Sequence, residues 1–408
     1  MSLFGHKMYA LFRGQRQTLD AEHRVMLEAN KGAVWIHAAS VGEFEQARPL
    51  IEKLKAESGK RKIVVTFFSP SGYEARKNYN QVDGVFYLPL PTRRNAKRFI
   101  EALQPCMAIF VKYEFWPAYL RELKKRAIPT YSISAIFRPT QRFFHWYGKP
   151  SLDLLRCFTH IYVQDEASLN LLQTHGITQC SVAGDTRFDR VHDVKAGLRP
   201  DDPRLEPIRY FVGESTRVLV AGSTWPQDEE LLVQYVERMN GLMDEGFKLI
   251  LVPHEIDEAH LHYLFNLFKG RFVRYSTISA PNQRVASCRN IAQRAQVLIL
   301  DTMGLLSSIY RFGNVAYIGG GFGVGIHNTI EAAVYGVPVI FGPNYTHFRE
   351  AQGLIDAGAA RSIKNYSELE AALDTAFENH TEIGQKAADY VESELGATSK
   401  ICKAIFDI

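Results

Sequence analysis

Cysteine is scarce in this sequence, and long apolar runs are absent from it. The 408 residues include five cysteines, which are scattered and contain no C-x-x-C pair: Cys106, Cys157, Cys180, Cys288 and Cys402. This pattern argues against a disulfide framework or a zinc site and favours a reducing cytosol. No stretch of 18 apolar residues and no cleavable signal pattern occurs, so the chain as given is not expected to span a membrane.

Neither sign of charge dominates the chain as a whole. The formal net charge is +4, which is too small to indicate nucleic-acid binding. Residues 1–200 nevertheless hold 30 Lys and Arg against 18 Asp and Glu, whereas the remainder holds 18 against 26. A basic half of +12 and an acidic half of −8 are expected to face different partners.

Short apolar runs alternate with helix-length amphipathic segments from Ala33 onward. Continuous apolar runs are typical of parallel strands buried on both faces. The predicted strands are 34–38, 63–68, 107–111, 130–134 and 160–163, then 218–221, 248–252, 297–300, 315–318 and 337–341, and helices are predicted at 44–56 and 115–126. The two series predict an α/β protein with two Rossmann-like, doubly wound domains facing a central cleft.

Turn-forming residues suggest where these domains meet. They cluster in Leu198-Arg-Pro-Asp-Asp-Pro203 and at Pro207, which predicts a linker. The predicted boundaries are 1–192 for the first domain, 193–213 for the linker and 214–380 for the second domain. Residues 381–408 are predicted to form a helical tail that can cross back to the first domain.

An acid follows the first predicted strand. The turn Ala38-Ala-Ser-Val-Gly-Glu43 leads into a helix, and Ser40 and Glu43 fit an S-x-x-E capping box. Glu43 is therefore either part of a helix cap or a carboxylate at a strand end that acts as a general base. In open parallel sheets ligands bind beyond the carboxyl ends of strands, which keeps the second interpretation open.

A second acid holds the equivalent place after strand 107–111. Glu114 stands beside Lys112 in Lys112-Tyr-Glu-Phe-Trp-Pro117. It is either a first-turn acid favoured by the helix dipole, with Trp116 in the core, or a functional carboxylate. Two acids at corresponding strand ends favour the functional interpretation.

Cations concentrate further along the first half. Arg138 and Arg142 alternate with aromatic residues between Ile136 and Lys149, a mixture that suits an interfacial or phosphorylated partner. A solvated basic face is the alternative. Arg187 either clamps a carboxylate or phosphate, or pairs with a neighbouring aspartate at 185 or 189.

A glycine-rich loop is the strongest motif of the second half. Gly319-Gly-Gly-Phe-Gly-Val-Gly325 precedes a predicted helix that carries Glu331. Such a loop offers unpaired backbone N–H groups to a phosphate, although it is not a P-loop and matches a dinucleotide fingerprint weakly. Tight packing is the alternative explanation of the glycines. Glu331, four residues after His327, is placed to accept sugar or ribose hydroxyls.

Several spaced motifs together resemble one family. They are Ala39-Ser-Val-Gly-Glu43, Lys112-Tyr-Glu-Phe-Trp-Pro117, Gly222-Ser-Thr224, Asp301-Thr-Met-Gly304 and Gly319-Gly…His327-Asn328-x-x-Glu331. In this order they resemble the Kdo (3-deoxy-D-manno-octulosonic acid) transferases of Gram-negative lipopolysaccharide synthesis. The resemblance runs from about Ala33 to the C-terminus.

The resemblance implies a lipid A-specific glycosyltransferase of the GT-B type. Such an enzyme moves Kdo from CMP-Kdo to the 6′-hydroxyl of a lipid A precursor, with inversion and without a metal or other cofactor. Glu43 matches the family's catalytic base, and Glu114 and Arg187 match positions that stabilise the transition state. The predicted substrate-binding residues are Ser40, Ser223, Thr224, Pro253, His254, Met303, Gly304, Leu305, Gly325, Asn328, Thr329, Ile330 and Glu331, and the acceptor-side residues are Lys112, Arg138 and Arg142.

The resemblance also implies partners and a location. The partners are CMP-Kdo, a lipid A precursor and the inner-membrane surface, without nucleic acid, at the cytoplasmic face of the inner membrane of a Gram-negative bacterium. Members usually begin with a longer apolar anchor, so the short, broken start of this chain is expected to be a trimmed one. The protein is then expected to attach to the membrane peripherally or through an N-terminal anchor that is missing here.

The chain departs from the family pattern at four places. Arg187 replaces a frequent lysine, Pro253-His-Glu255 replaces Pro-Arg-His-Pro, Leu305 replaces a common glutamate, and Asn328-Thr-Ile-Glu331 replaces Asn-Pro-Leu-Glu. These differences bear on individual cytidine contacts and leave the base assignment unchanged. The alternatives are another GT-B enzyme that uses a UDP-sugar, as transferase or 2-epimerase, and a non-catalytic glycolipid-binding relative.

Overall fold

The structure, a computed structural model, describes residues 14–15, 17–57, 61–199, 201–242, 246–279 and 285–408. They form two compact units, one made of the chain up to Arg190 together with Glu394–Ile408 and the other of Val191–Ser393. The expected trimmed anchor concerns residues 1–13, which lie outside the described residues. Within the described ranges, no helix combines the length and the apolar character needed to cross a membrane.

The first unit is built on a seven-stranded parallel sheet. Its strands are β1 Val34–Ala38, β2 Ile63–Phe67, β3 Gly84–Tyr87, β4 Met107–Val111, β5 Thr130–Ala135, β6 His160–Val163 and β7 Cys180–Val182. Their spatial order is β3-β2-β1-β4-β5-β6-β7. The winding reverses between β1 and β4, which makes the carboxyl ends of these two strands the topological switch point.

Helices cover both faces of this sheet. They are α1 Ala21–Ala29, α2 Val41–Glu57, α3 Pro70–Arg76, α4 Arg93–Leu103, α5 Pro117–Lys125, α6 Lys149–Leu155 and α7 Glu166–Thr174, followed by α8 Thr186–Ala196 at the unit boundary, with a 3-10 turn at Arg142–Phe144. Alternate residues of β1 enter different cores, because Trp35 packs in one apolar cluster and Val34 and Ile36 in another. Burial on both faces explains the continuous apolar runs.

The second unit repeats this plan. Its strands are β8 Arg217–Thr224, β9 Phe247–Pro253, β10 Val273–Arg274, β11 Val297–Ile299, β12 Val315–Ile318, β13 Val339–Phe341 and β14 Ala360–Ser362, all parallel, in the order β10-β11-β9-β8-β12-β13-β14. Its helices are α9 Glu206–Val212, α10 Pro226–Gly241, α11 Glu258–Leu267, α12 Tyr275–Ile278, α13 Val285–Arg294, α14 Leu306–Ile309, α15 Ile330–Ala333, α16 Arg349–Asp356, α17 Tyr366–Glu378 and α18 His380–Ser393, with 3-10 turns at Pro203–Leu205 and Tyr310–Phe312. The prediction of two doubly wound parallel sheets is confirmed.

The predicted domain boundaries differ from the observed division. Much of the predicted linker 193–213 is helical, since α8 runs to Ala196 and α9 buries Ile208 and Phe211. Pro203 and Pro207 lie in the first turns of short helices, where proline is favoured. A cluster of prolines therefore marks helix starts here as well as turns.

The predicted tail from residue 381 divides at Glu394. Helix α18 belongs to the second unit, whereas the last helix, α19 Ala397–Phe406, belongs to the first. There Ile401, Cys402 and Phe406 enter the same apolar cluster as Val34 of β1. The first unit is thus completed by the last residues of the chain.

Candidate active site

Glu43 follows β1, an inner strand of the first sheet, by five residues. It lies in the first turn of α2 and is partly buried. The hydroxyl of Ser40 donates a hydrogen bond to its carboxylate, and the N–H of Phe44 donates to the Ser40 carbonyl at 3.0 Å. Ser40 therefore orients Glu43 directly, and a carboxylate in this position is suited to accept a proton from a hydroxyl.

Glu114 lies three residues before α5 and takes part in a mostly buried network. Its side chain is 14% exposed, and its Oε2 lies 2.6 Å from Nε1 of Trp116 and 3.3 Å from Nε2 of His37. Trp116 is thus more than a core residue, because its indole N–H donates to the carboxylate. The helix begins after Glu114, so the interpretation of Glu114 as a first-turn acid is wrong.

Three predicted cations follow β4, β5 and β7. Arg187 donates to Oδ2 of the buried Asp185 from Nε at 2.9 Å and from Nη2 at 2.7 Å, which agrees with the pairing alternative. Burial alone would raise the pKa of Asp185, but the charges of Arg187 and Lys112 and the Arg187 hydrogen bonds lower it below its ordinary value. Arg138 donates to the Tyr113 hydroxyl at 3.3 Å.

Arg142 belongs to a more exposed segment. It lies in the 3-10 turn at 142–144, with its guanidinium 5.7 Å from the centre of the Phe143 ring. Trp146 is 94% exposed, and Tyr147 is exposed and stacks on His145. Arg142 therefore forms part of an aromatic and cationic surface with Trp146, Tyr147 and Lys149.

The glycine-rich loop of the second unit follows β12. Its N–H groups at residues 319, 320, 323, 325, 326 and 327 donate to acceptors within the protein. A Cβ at Gly321 would lie 2.6 Å from the Gly342 backbone, and one at Gly319 would lie 2.3 Å from the Ser223 carbonyl oxygen. Tight packing therefore explains these glycines, and the expectation that the loop as a whole presents unpaired N–H groups is wrong.

A buried carboxylate holds this loop in place. Asp228, in the first turn of α10, accepts hydrogen bonds from the N–H of Gly320 at 2.9 Å, the N–H of Trp225 at 2.9 Å and the hydroxyl of Tyr317 at 2.7 Å. Burial raises the pKa of Asp228, and these three donors oppose the rise. Sequence reasoning missed Asp228, because two of its three partners, Tyr317 and Gly320, are distant in the chain.

A second buried carboxylate lies beside it. Glu229 accepts from the Thr224 hydroxyl at 2.8 Å and lies 3.0 Å from Nε2 of His260. The hydrogen bond to Glu229 raises the pKa of His260 above its ordinary value. Burial of the ring opposes this rise, and the charge of Glu229 adds to it. The Thr224 side chain is buried and its hydroxyl is used internally, so the prediction that it contacts substrate is corrected to a supporting contact.

Three rings meet at the carboxyl edge of the second sheet. Trp225 stacks on His254 with ring centres 4.7 Å apart, and His254 lies 4.6 Å from His327. The indole N–H of Trp225 donates to Nε2 of His327 at 3.4 Å. Burial, with the nearby His254, lowers the pKa of His327 to about 4, so its ring is neutral near pH 7.

The other predicted donor-side residues divide by exposure. Met303 is 81% exposed, and Ser223 is half-buried. Gly304 and Gly325 have left-handed φ angles of +83° and +107°, and Gly325 packs against Phe348. Glu331 accepts from the Asn328 amide at 2.9 Å and from the Ser307 hydroxyl at 2.7 Å. Pro253, Leu305, Thr329 and Ile330 are buried, and their contact with substrate stays a prediction.

No metal centre is formed by the described part of the chain. Within it, no three His, Cys, Asp or Glu side chains are grouped so that they could hold a metal ion. Cys106, Cys157, Cys180 and Cys402 are free thiols.

Comparison with known proteins places these features in a family. The family model described as 3-Deoxy-D-manno-octulosonic-acid transferase (kdotransferase) matches residues 13–190. The 3-deoxy-D-manno-octulosonic acid transferase of Aquifex aeolicus is 29% identical over 346 residues, covering 83% of this chain and 84% of that protein. The Haemophilus influenzae enzyme of the same name is 27% identical over 387 residues, covering 90% and 85%.

The chain is thus similar to Kdo transferases over most of its length. It is a glycosyltransferase, as the resemblance of its motifs implies. The region matched by the family model contains Glu43 and Glu114, and the matches to the relatives extend over most of both units.

Solved structures show that this chain has the GT-B fold. UDP-GlcNAc 2-epimerase from Neisseria meningitidis matches with a TM-score of 0.65 at 13% identity, covering 92% of this chain and all of that one. A UDP-N-acetylglucosamine 2-epimerase from Listeria monocytogenes matches with a TM-score of 0.61 at 15% identity, covering 92% and 96%. At these identities the likeness concerns the fold alone.

Replacing Gly321 by alanine tests the packing of the glycine-rich loop. The new Cβ would lie 2.6 Å from the Gly342 backbone, so we expect the free energy of unfolding to fall by about 1–3 kcal/mol. The matched control is Gly323→Ala, whose Cβ meets its nearest atom at 3.8 Å and which should change stability by less than about 0.5 kcal/mol. Urea unfolding measures both, and equal losses would contradict the packing explanation.

Replacing His260 by glutamine tests the buried pair with Glu229. Because the pKa of His260 is raised in the folded protein, its contribution to stability is fully present below about pH 6.5 and is lost as the pH rises through the folded value. We therefore expect the Tm difference between wild type and His260→Gln to be largest near pH 6 and to shrink towards about pH 9. A difference that grows with pH in thermal unfolding would contradict this assignment.

Proposed function

We propose that this enzyme transfers Kdo from CMP-Kdo to the 6′-hydroxyl of a lipid A precursor, with inversion and without a metal or other cofactor. The observation that carries the proposal is Glu43, a partly buried carboxylate oriented by Ser40 at the end of β1. It lies within the region that the family model matches. The relatives in Aquifex and Haemophilus are named for the same sugar.

In the proposed reaction Glu43 acts as the general base. It removes the proton of the acceptor hydroxyl as the oxygen attacks the anomeric carbon of Kdo. The bond from that carbon to the phosphate oxygen of CMP breaks, and CMP leaves with the electron pair. Because a sugar hydroxyl is a weak acid, such base assistance contributes roughly 10²–10⁴-fold to the rate.

The charges of the first unit suit the sugar that is transferred. Kdo carries a carboxylate, and Lys112, Arg138 and Arg187 follow β4, β5 and β7, whose carboxyl ends share one edge of the parallel sheet. Arg187 is held by Asp185 at 2.7 Å, which fixes the plane of its guanidinium. Glu114 supplies a negative charge that stabilises positive charge developing at the anomeric carbon.

The second unit supplies the proposed donor site. CMP carries a single phosphate as the leaving group, and His254 is exposed at the end of β9, where it meets that charge. His327 is neutral near pH 7 because burial lowers its pKa to about 4, so it acts as a hydrogen-bonding group. Asn328 and Glu331 are joined by a hydrogen bond of 2.9 Å and provide polar atoms for the ribose.

The acceptor is proposed to approach along the aromatic and cationic surface of the first unit. Arg142 and Lys149 are suited to the phosphates of a lipid A precursor. The exposed Trp146 and Tyr147 have the character of side chains that lie at a membrane interface. We accordingly propose that the enzyme works at the cytoplasmic face of the inner membrane, where these groups meet the membrane surface.

Replacing Glu43 by glutamine tests the proposed base. We expect transfer to fall at least ~10²-fold with CMP-Kdo binding retained, because only the proton acceptor is removed. The matched control is Glu57→Gln, at the far end of the same helix, whose 41% exposed carboxylate pairs loosely with Lys53 at 3.9 Å. Rates from radiolabelled Kdo transfer and affinities from calorimetry separate the two effects, and full turnover by Glu43→Gln would remove it from the mechanism.

A donor screen tests the substrate assignment. With a tetraacyl lipid A precursor as acceptor, we expect turnover with CMP-Kdo and none with UDP-sugars, and mass spectrometry should show the product heavier by one or more Kdo units. Turnover with UDP-sugars alone would show that the enzyme is a different GT-B enzyme. Binding of the glycolipid without any transfer would show a non-catalytic relative.

A further inference from the structure

His37 is a buried residue that the proposed reaction does not yet use. It lies on β1, opposite Thr66 on β2 and Phe110 on β4, and its side chain is fully buried. Its Nδ1 lies 2.9 Å from Oγ1 of Thr66 and its Nε2 lies 3.3 Å from Oε2 of Glu114. The ring therefore joins the middle of the sheet to the carboxylate at the strand ends.

The hydroxyl of Thr66 also receives a hydrogen bond from an indole. Trp35 is two residues before His37 and donates from Nε1 to Oγ1 of Thr66 at 2.8 Å. The hydroxyl keeps one hydrogen and one acceptor lone pair, so it can either donate to Nδ1 of His37 or accept from it. The ring donates to Glu114 when Nε2 carries a proton.

Two further contacts bear on the protons of the ring. Nδ1 of His37 also lies 3.1 Å from the Thr66 carbonyl oxygen, which can only accept, so this contact suits a proton on Nδ1. The indole N–H of Trp116 lies 3.1 Å from Nε2 of His37 and 2.6 Å from Oε2 of Glu114, so the carboxylate is its nearer acceptor. With a proton on Nε2, His37 and Trp116 both donate to one oxygen of Glu114.

We propose that His37 is a positioning residue for Glu114. The chain of hydrogen bonds from Trp35 through Thr66 and His37 fixes the direction of the Glu114 carboxylate, and Trp116 fixes it from the other side. This inference rests on the proposed function, in which Glu114 faces the developing charge of the transferred sugar. A rigid carboxylate helps there because misplacement of a catalytic group by about 1 Å can slow a reaction roughly 10²-fold.

Three substitutions of His37 separate positioning from packing. Phenylalanine retains a ring but no donor, asparagine can place its amide near the Nδ1 position, and glutamine can place an N–H near the Nε2 position. We expect His37→Phe and His37→Asn to lower kcat roughly 10- to 100-fold with little change in the KM for CMP-Kdo. We expect His37→Gln to recover most of the loss. Equal kcat values for the glutamine and asparagine variants, with equal Tm values, would overturn the proposal.

A double-mutant cycle tests whether His37 acts through Glu114. In a Glu114→Gln background, His37→Phe should cause little further loss of kcat, because the carboxylate that it positions is gone. If the double variant loses as much kcat as the two single variants lose together, the proposal is contradicted.

The proton on Nε2 of His37 provides a readout that needs no substrate. In ¹⁵N-histidine spectra of the wild-type enzyme, with the signal assigned by its loss in His37→Phe, we expect a protonated Nε2. An unprotonated Nε2 would overturn the proposal whether or not Kdo is transferred. Conversely, a protonated Nε2 in a protein that fails to transfer Kdo would count against the proposed function alone.

Discussion

The candidate site of the first unit depends on the parallel pairing of β1 with β2 on one side and β4 on the other. This pairing sets His37 opposite Thr66 and Phe110, and it brings the turns that carry Glu43 and Glu114 to the same edge of the sheet. A shift of one residue in either register would turn the buried side chains to the opposite face. The apolar packing on both faces of the sheet fixes the register of these strands. The register in turn aligns Glu43 with Glu114.

The two units organise their polar groups by different means. In the first unit cations and carboxylates lie at the strand ends, and Asp185 and Ser40 orient them through direct bonds. In the second unit the buried acids Asp228 and Glu229 bind backbone and hydroxyl groups of the protein itself. Their contribution is to hold the shape of the loops.

The sequence predicts the inner strands well and the edge strands poorly. All ten predicted strands are present, whereas β3, β7, β10 and β14 were not foreseen, and these four are the edges of the two sheets. An edge strand is short and only partly buried, so it lacks the continuous apolar run that marks an inner strand. The short β10 and β14 contain no fully buried residue.

The sequence likewise predicts only part of the candidate site. Glu43, Glu114 and Arg187 stand in local motifs after strands, which a sequence displays directly. His37 and Asp228 also have partners 77 and 92 residues away, Glu114 and Gly320, and no local pattern indicates these two contacts. The glycine-rich loop was misinterpreted for a related reason. In a sequence, glycines that allow close packing cannot be distinguished from glycines that bind phosphate, and the contact that decides, between Gly321 and Gly342, is distant in the chain.

The return of α19 to the first unit has a consequence for synthesis. Ile401, Cys402 and Phe406 complete an apolar cluster that otherwise belongs to residues before 190, and the second unit, ~200 residues long, is made in between. At the usual speed of a ribosome that interval lasts roughly 10–40 s. During this time the apolar side chains that Ile401, Cys402 and Phe406 contact in the finished protein lack this cover.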